Sequence, residues 1–231
     1  MREFCWLKIQ ILLRVLYNIG MCARYYFWKK TSKLVEEDLE LDMGSFDMLE
    51  GDFTPAMAPV VLTAVRNTAS DAAIDGSINE SSDSSKAGIR VTNMFWGIEG
   101  KDKKLVINAR AESALYKQMF ADSMAHRRCV MPAEGFYEWD RDKNKVTFYR
   151  SDNRPIYLAG FYGMSNNRDS FVILTTKANE SMIKVHDRMP LMIEKGRVRD
   201  WLYDIDAAKE MLAMDMPLLD SKREYEQLSL F

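Results

Sequence analysis

The sequence predicts an α+β domain, a mostly antiparallel, barrel-like mixed sheet with flanking helices. Three observations lead there. Short runs rich in β-branched and aromatic residues outnumber runs with a helical period. Between residues 128 and 175 those runs follow one another directly instead of alternating with helices, which argues against a doubly wound parallel sheet. The chain has 231 residues, 47% hydrophobic and 11% aromatic, enough for one sizeable core.

The elements follow in order. Residues 1–20 are apolar but interrupted by Lys8, Gln10 and Arg14, so the run is too short and too charged to span a membrane. Its basic start lacks a clean apolar region and a signal cleavage site. It is read as an N-terminal extension (a mis-assigned start, a propeptide or a tail) ahead of a second methionine, Met21, with the domain over 21–231. Thr31-Ser32 precedes a helix over 33–40, with Leu34, Val35 and Leu39 on one face. Residues 58–65 read as a buried strand, and 67–86, rich in Ser, Asp and Asn, as a polar loop reaching about 88. Strands are expected at 89–98 and 105–107, then a helix over 112–120. Strands at 128–131, 135–139, 146–149, 156–162 and 171–175 come next, followed by a helix at 178–184 and an extended 191–193. A helix over 199–213, with Trp201, Leu202, Ile205 and Leu212 on one face, closes the chain.

Charge and cysteine usage limit the function classes. Lys and Arg number 32 against 34 Asp and Glu, a net charge of -2, which excludes a uniformly basic nucleic-acid coat but leaves a local patch open. Three cysteines (Cys5, Cys22, Cys129) and two histidines (His126, His186) are too few for a disulfide framework or a zinc ribbon, and fit a reducing, cytoplasmic setting. His126 and Cys129 form an H-x-x-C pair, but two potential ligands do not make a metal site.

Four clusters carry chemistry. In Met21-Cys22-Ala23-Arg24-Tyr25-Tyr26, removal of an initiating Met21 would leave Cys22 with a free α-amine beside its thiol. Unperturbed pKa values of about 7.7–8.0 and about 8.5 leave both partly deprotonated near neutrality, and each is a nucleophile. An aminothiol condenses with an aldehyde to an imine, which the thiolate closes to a five-membered thiazolidine; a lone cysteine is otherwise a small buried hydrophobe. In Asn108-Ala109-Arg110-Ala111-Glu112, the Asn can hydrogen-bond a reacting amine or carbonyl, or merely cap a helix, and Arg110 can pair with a phosphate. In Gly135-Phe136-Tyr137-Glu138-Trp139, alternation puts Phe136 and Glu138 on one side, Tyr137 and Trp139 on the other. A glutamate among aromatics suits proton transfer near neutrality; on an exposed strand it is a solvated carboxylate. In Val185-His186-Asp187-Arg188-Met189-Pro190, Pro190 fixes the local chain, and His186, one of only two histidines, is on its own most simply a satisfied loop histidine.

In this order MCARY at 21–25, Asn108-Ala109-Arg110, GFYEW at 135–139, Thr175 after an apolar strand and HDRMP at 186–190 resemble the SRAP family, named for "SOS response-associated peptidase". The resemblance spans 21–193. It implies a sensor of abasic sites in single-stranded DNA that traps the ring-opened C1′ aldehyde in a thiazolidine crosslink. On this resemblance Cys22 supplies amine and thiolate, and Asn108 orients the amine and the sugar oxygen. Glu138 shuttles protons, and His186 acts as acid or base on the opened deoxyribose, assisting crosslink reversal or strand scission. Arg24, Arg110 and Arg188 hold phosphates, Trp139 meets a base, and Thr175 adds a hydroxyl contact. The family name also implies autoproteolysis that frees Cys22 from residues 1–21. Single-stranded DNA is the partner implied, with no cofactor, no metal, no membrane and a monomeric chain. The sequence departs from the family pattern at Ala23, where Gly is usual, and after Trp96-Gly97, where Ile98-Glu99 replaces a Pro and a second Trp. Two other classes fit the same residues. One is a cysteine peptidase acting on proteins through Cys22, His186 and Glu138 or Asn108; the other is a non-catalytic single-strand binding module.

Overall fold

A computed structural model describes residues 23–44, 46–65 and 88–224. Residues 1–22, which include Cys22, and the polar stretch 67–86 lie outside the described residues. In chain order the elements are β1 (Tyr25–Phe27), α1 (Lys29–Leu39), β2 (Gly51–Phe53), β3 (Val60–Ala64), β4 (Ile89–Asn93), β5 (Phe95–Trp96), β6 (Ile98–Glu99), β7 (Leu105–Val106) and β8 (Asn108–Arg110). They continue with α2 (Ala111–Ala114), α3 (Ala121–His126), β9 (Arg128–Ala133), β10 (Gly135–Trp139), β11 (Lys145–Tyr149), β12 (Ile156–Ser165) and β13 (Arg168–Lys177). The last are β14 (Arg188–Pro190), β15 (Met192–Ile193), α4 (Val198–Tyr203), α5 (Ile205–Met211) and β16 (Asp220–Glu224). Strands dominate, and the fold is mixed α+β, as expected.

Two open sheets enclose the core. A five-stranded antiparallel sheet runs β16-β11-β10-β1-β2. Period-two alternation sends Tyr25, Phe27, Phe53, Phe136 and Phe148 into the core, and leaves Tyr26 stacked on Tyr137 on the opposite side, centroids 5.0 Å apart. Gly135 permits that stack, because a Cβ there would lie 2.6 Å from the Tyr26 hydroxyl and 2.4 Å from the Phe148 carbonyl. The nine-stranded sheet runs β14-β13-β12-β9-β3-β4, with β15 on β12 and β5 and β8 parallel on β13. Its central strands are buried continuously over residues 156–161 and 170–175, and 156–161 and 171–174 are apolar throughout, as strands covered on both faces must be.

One irregularity shapes the site. β12 and β13 pair from Gly160↔Ile173 outward, then part, and the segment 188–193 wedges between them. Leu191 is the pivot: its N–H donates to Leu174 O at 2.9 Å, and its carbonyl accepts from Ala159 N–H at 2.8 Å. The residues just before the wedge, His186 and Asp187, are thereby carried to its mouth.

Several boundaries differ from expectation. The strand over 89–98 is three pieces, bent at Gly97, whose φ of +115° and 2.4 Å clearance to Leu105 admit no side chain. The chain leaves β3, which pairs β4, at the break before Phe95 and joins β13 through β5; the bend at Gly97 then turns it off β13 into β6, which pairs β7. The helix over 112–120 is α2, a turn, and α3. Ala111 and Ala114 bury one stripe, Phe120 and Met124 another, and the six residues from Ala114 to Phe120 put the stripes about 240° out of phase at ~100° per residue. Residues 178–184 form turns, not a helix: Asn179 Oδ1 accepts from Ser181 N–H and Oγ–H, the local bonding that competes with a helix. The closing helix restarts at Asp204, whose side chain accepts from Asp206 N–H and Ala207 N–H as an N-cap. Strands β1, β2, β8, β14 and β16 fall outside the expected ones.

Candidate functional site

Two groups of the expected site residues assemble on different sheets. The first lies on β13. β8 docks parallel to it in the register Ile173↔Asn108, Leu174↔Ala109, Thr175↔Arg110, and β14 pairs antiparallel, with Thr175↔Pro190 and Lys177↔Arg188. Asn108, Arg110, Thr175 and Arg188 are neighbours for this reason, although 80 residues separate the outermost two. Thr175 is buried, and its hydroxyl donates to Ala109 O at 3.4 Å. Asn108 is half-buried and Arg110 exposed.

His186 stands beside them, with 32% of its side chain exposed. Its backbone N–H donates to Met182 O at 3.0 Å. Its Nδ1 accepts from Arg188 N–H at 3.1 Å and lies 2.9 Å from Asp187 Oδ1. The two neighbours favour opposite states, since an N–H donor needs the Nδ1 lone pair and a carboxylate needs an Nδ1 proton. Arg188 is committed inward. Its Nη1 donates to Glu112 Oε1, its Nη2 to Glu112 Oε2 at 2.8 Å and to Thr175 O at 2.6 Å. The hydrogen bond from Arg188, burial opposing it, holds the Glu112 carboxyl below its ordinary value. The resemblance assigns Arg188 to a phosphate, and here its fork is already filled by a carboxylate.

The second group lies on β10. Glu138 is 6% exposed on the core side with Phe136, and Trp139 is half-buried on the other face. β1 pairs β10 with Tyr25↔Phe136 and Tyr26↔Gly135, and Tyr137 N–H donates to Arg24 O at 2.9 Å, extending the register. The Arg24 guanidinium lies 5.5 Å from the Trp139 ring centroid, a cation–π distance. Alternation then gives Ala23 the side of Tyr25 and Glu138. Cys22, bonded to Ala23, lies outside the described residues.

Buried aromatics join the groups. Tyr25 lies 5.3 Å from Trp96 and 5.4 Å from Phe53 between ring centroids, and Trp96 Nε1–H donates to Ile107 O at 3.0 Å, the residue before Asn108. Sequence reasoning gave no role to Tyr25, Trp96 or Glu112. For Glu112 a signal existed: an acid in the first turn of the helix that follows Asn108-Ala109-Arg110. A cavity of about 670 Å³ lies elsewhere, on the outer face of the five-stranded sheet between Tyr26, Tyr149 and α1. Its rim balances Lys30 and Lys222 against Glu134 and Glu224, which does not favour a polyanion. Among the described residues no group of three or more His, Cys, Asp or Glu side chains is placed to hold a metal, and no helix is long and apolar enough to cross a membrane.

Comparison with known proteins agrees with the motifs. The sequence model of the family described as "SOS response associated peptidase (SRAP)" matches residues 21–229. The chain is 30% identical over 202 residues to the abasic site processing protein YoqW of Bacillus subtilis, covering 79% of this chain and 80% of that one. It is 32% identical over 126 residues to the abasic site processing protein YedK of Escherichia coli, covering 51% of this chain and 57% of that one. The crystal structure of a Bordetella bronchiseptica protein superposes with a TM-score of 0.64 at 19% identity, over 88% of this chain and 100% of that one, a likeness of fold. The chain belongs to the SRAP family.

Proposed function

We propose that this chain captures abasic sites in single-stranded DNA by a covalent thiazolidine link through Cys22. The pairing of β1 with β10 carries the reading: it runs the chain that follows Cys22 along the strand of Glu138 and Trp139. Membership of a family whose relatives are named for abasic site processing supplies the lesion.

The chemistry follows from the groups. A ring-opened abasic sugar exposes an aldehyde at C1′. The α-amine of Cys22 adds to it, and the carbinolamine loses the aldehyde oxygen as water, leaving a protonated imine. The thiolate adds to the imine carbon while the C=N pair returns to nitrogen, closing the ring. One water is released overall, and no oxidant or reductant is consumed. Two proton movements need a carrier, the role we assign to Glu138, which burial beside Phe136 shields from water. Asn108 orients the amine and the sugar-derived oxygen. His186 protonates or deprotonates the opened sugar during crosslink reversal or scission. Arg24 and Arg110 meet phosphates, and Trp139 a neighbouring base. The sequence needs one prior step, hydrolysis of the bond between Met21 and Cys22, because an acylated nitrogen cannot form the imine. Autoproteolysis involving Cys22, Glu138 and His186 would supply it.

The test uses protein expressed from Met21, with Cys22 verified as the first residue by intact mass. It is mixed with a single-stranded oligonucleotide carrying one abasic site and run on a denaturing gel. A denaturation-resistant band that requires both the lesion and Cys22 is expected. No band with a free Cys22 amine overturns the reading.

A further inference from the structure

The site contains a relay that the crosslinking chemistry does not explain by itself. Glu112 in α2 grips Arg188 through both carboxylate oxygens, and Arg188 donates a further bond to Thr175 O. Its side chain is 11% exposed, and its Nε, buried, has no hydrogen-bond partner among the described residues. An arginine so enclosed is a poor clamp for an incoming phosphate, because reaching one would first strand the carboxylate that now fills its fork. What the grip does fix is the Arg188 backbone, and the Arg188 N–H is the donor to His186 Nδ1.

We infer that Glu112 is a positioning residue for His186: by locking Arg188 it holds the Arg188 N–H against Nδ1 and keeps the imidazole as its Nε2–H tautomer. A neutral imidazole has one donor and one acceptor nitrogen, so an Nδ1 that accepts leaves the proton on Nε2, free to donate toward a substrate. The opposing influence is Asp187, whose Oδ1 lies 2.9 Å from the same nitrogen and whose side chain is 78% exposed. Asp187 stabilises a proton on Nδ1, either in the other tautomer or in the imidazolium. The ordered backbone donor and the exposed carboxylate compete for one lone pair, and Glu112 tips the balance by removing slack from the donor. Catalytic use of the tautomer rests on the proposed role of His186; the tautomer itself does not.

The experiment therefore reads the ring directly, without DNA. Long-range ¹H–¹⁵N correlation spectra of histidine-labelled protein give the protonation pattern of each imidazole, and a chain with two histidines can be assigned with a single His126→Asn variant. Wild-type His186 is expected as Nε2–H when neutral. Glu112→Ala should lower the ratio of Nε2–H to Nδ1–H roughly tenfold, the effect of losing one well-formed hydrogen bond. Glu112→Gln, which keeps one acceptor for Arg188, should fall between, and it carries the test if Glu112→Ala does not fold. An unchanged His186 pattern in folded Glu112 variants overturns the inference, as does a wild-type ring found as Nδ1–H. Single-stranded DNA affinity that rises tenfold in Glu112→Ala with the tautomer unchanged would mark Glu112 as a competitor for Arg188 and also overturn it. Failure of the adduct assay would leave these spectra untouched, so the two readings fail separately.

Discussion

Arg128 offers a quantitative test of how the sheet holds its helices. It stands on β9, 1% exposed, and its guanidinium donates to Met124 O at 2.9 Å and Ala125 O at 2.8 Å in α3, and to Trp201 O at 2.5 Å and Leu202 O at 3.3 Å in α4. The carbonyls near a helix C-terminus have no partners within the helix, and one cation here serves those of two helices. Arg128→Met keeps much of the volume and removes every donor. Each buried acceptor left without a partner costs about 1–3 kcal/mol, so four suggest an upper bound of about 12 kcal/mol. Against this, the variant no longer buries a cation, an effect of several kcal/mol, and the new apolar side chain adds about 1.5–3 kcal/mol. Near that upper bound, taking about 5–6 kcal/mol for the cation and about 3 kcal/mol for the apolar side chain, the net loss is about 3–4 kcal/mol. With a urea slope near 3 kcal/mol/M, that is a fall of about 1 M in the unfolding midpoint, read by tryptophan fluorescence. Arg128→Lys, with three donors on one point, should fall between, because an ammonium cannot span two helix ends. A midpoint for Arg128→Met equal to or above wild type would refute the reasoning and show that desolvating the guanidinium outweighs its bonds.

Acid sensitivity should trace in part to Asp38, whose side chain is 1% exposed and is bonded by Tyr157, Arg154 and Lys195. Burial alone would raise its pKa, but the bonds from Lys195, Tyr157 and Arg154 outweigh burial and lower it. A folded-state pKa below the unfolded value of about 3.9 gives stability that is present above that value and lost as pH falls through the folded one. Asp38→Asn should therefore destabilise at pH 7 and much less at pH 2, as urea midpoints at the two pH values would show; an equal loss at both would contradict it. Binding to undamaged single strands should separate the arginines. Arg24→Ala and Arg110→Ala should each flatten the plot of log affinity against log salt by about 0.7, whereas Arg188→Met, committed to Glu112, should leave the slope in place.

The central strands were legible because each carries its own signal: 135–139 alternates, and 156–161 and 171–174 are apolar throughout. What escaped was set by partners distant in sequence. α1 begins at Lys29, earlier than its own residues suggest, because its first turn is covered from elsewhere. Glu134 accepts from Trp28 N–H at 3.2 Å and Thr31 Oγ–H at 2.5 Å, and Glu50 accepts from Lys29 N–H at 2.8 Å. β16, exposed at all five positions, has no burial pattern and exists only through its ladder to β11. The restart at Asp204 was readable, an N-cap aspartate two residues before an acidic first turn, but a continuous apolar stripe concealed it. At the site, residue types were legible while their engagement was not. The sequence offers three arginines for phosphate, and nothing in its spacing reveals that Glu112, 76 residues from Arg188, already occupies one of them.

The arrangement also explains why the motifs are so dispersed along the chain. Asn108 and Thr175 belong to one sheet, with His186 just ahead of its β14, and Glu138 belongs to the other, so no single strand or turn can fix their relative positions. That task falls to the apolar contact between sheets, where Tyr25 packs on Phe53 and Trp96, and Trp96 bonds the carbonyl of Ile107. β1, only three residues long, holds Tyr25 in that contact and continues directly from the segment that bears Cys22. Its short ladder to β10 and β2 would be marginal alone; two wholly buried rings, each worth a few kcal/mol of apolar burial, make it rigid. On the proposed chemistry, Tyr25 and Phe27 would hold the segment that follows Cys22 as Glu112 and Arg188 would hold the backbone beside His186. In both cases a side chain remote from the reacting atoms removes freedom from the backbone that presents the chemistry.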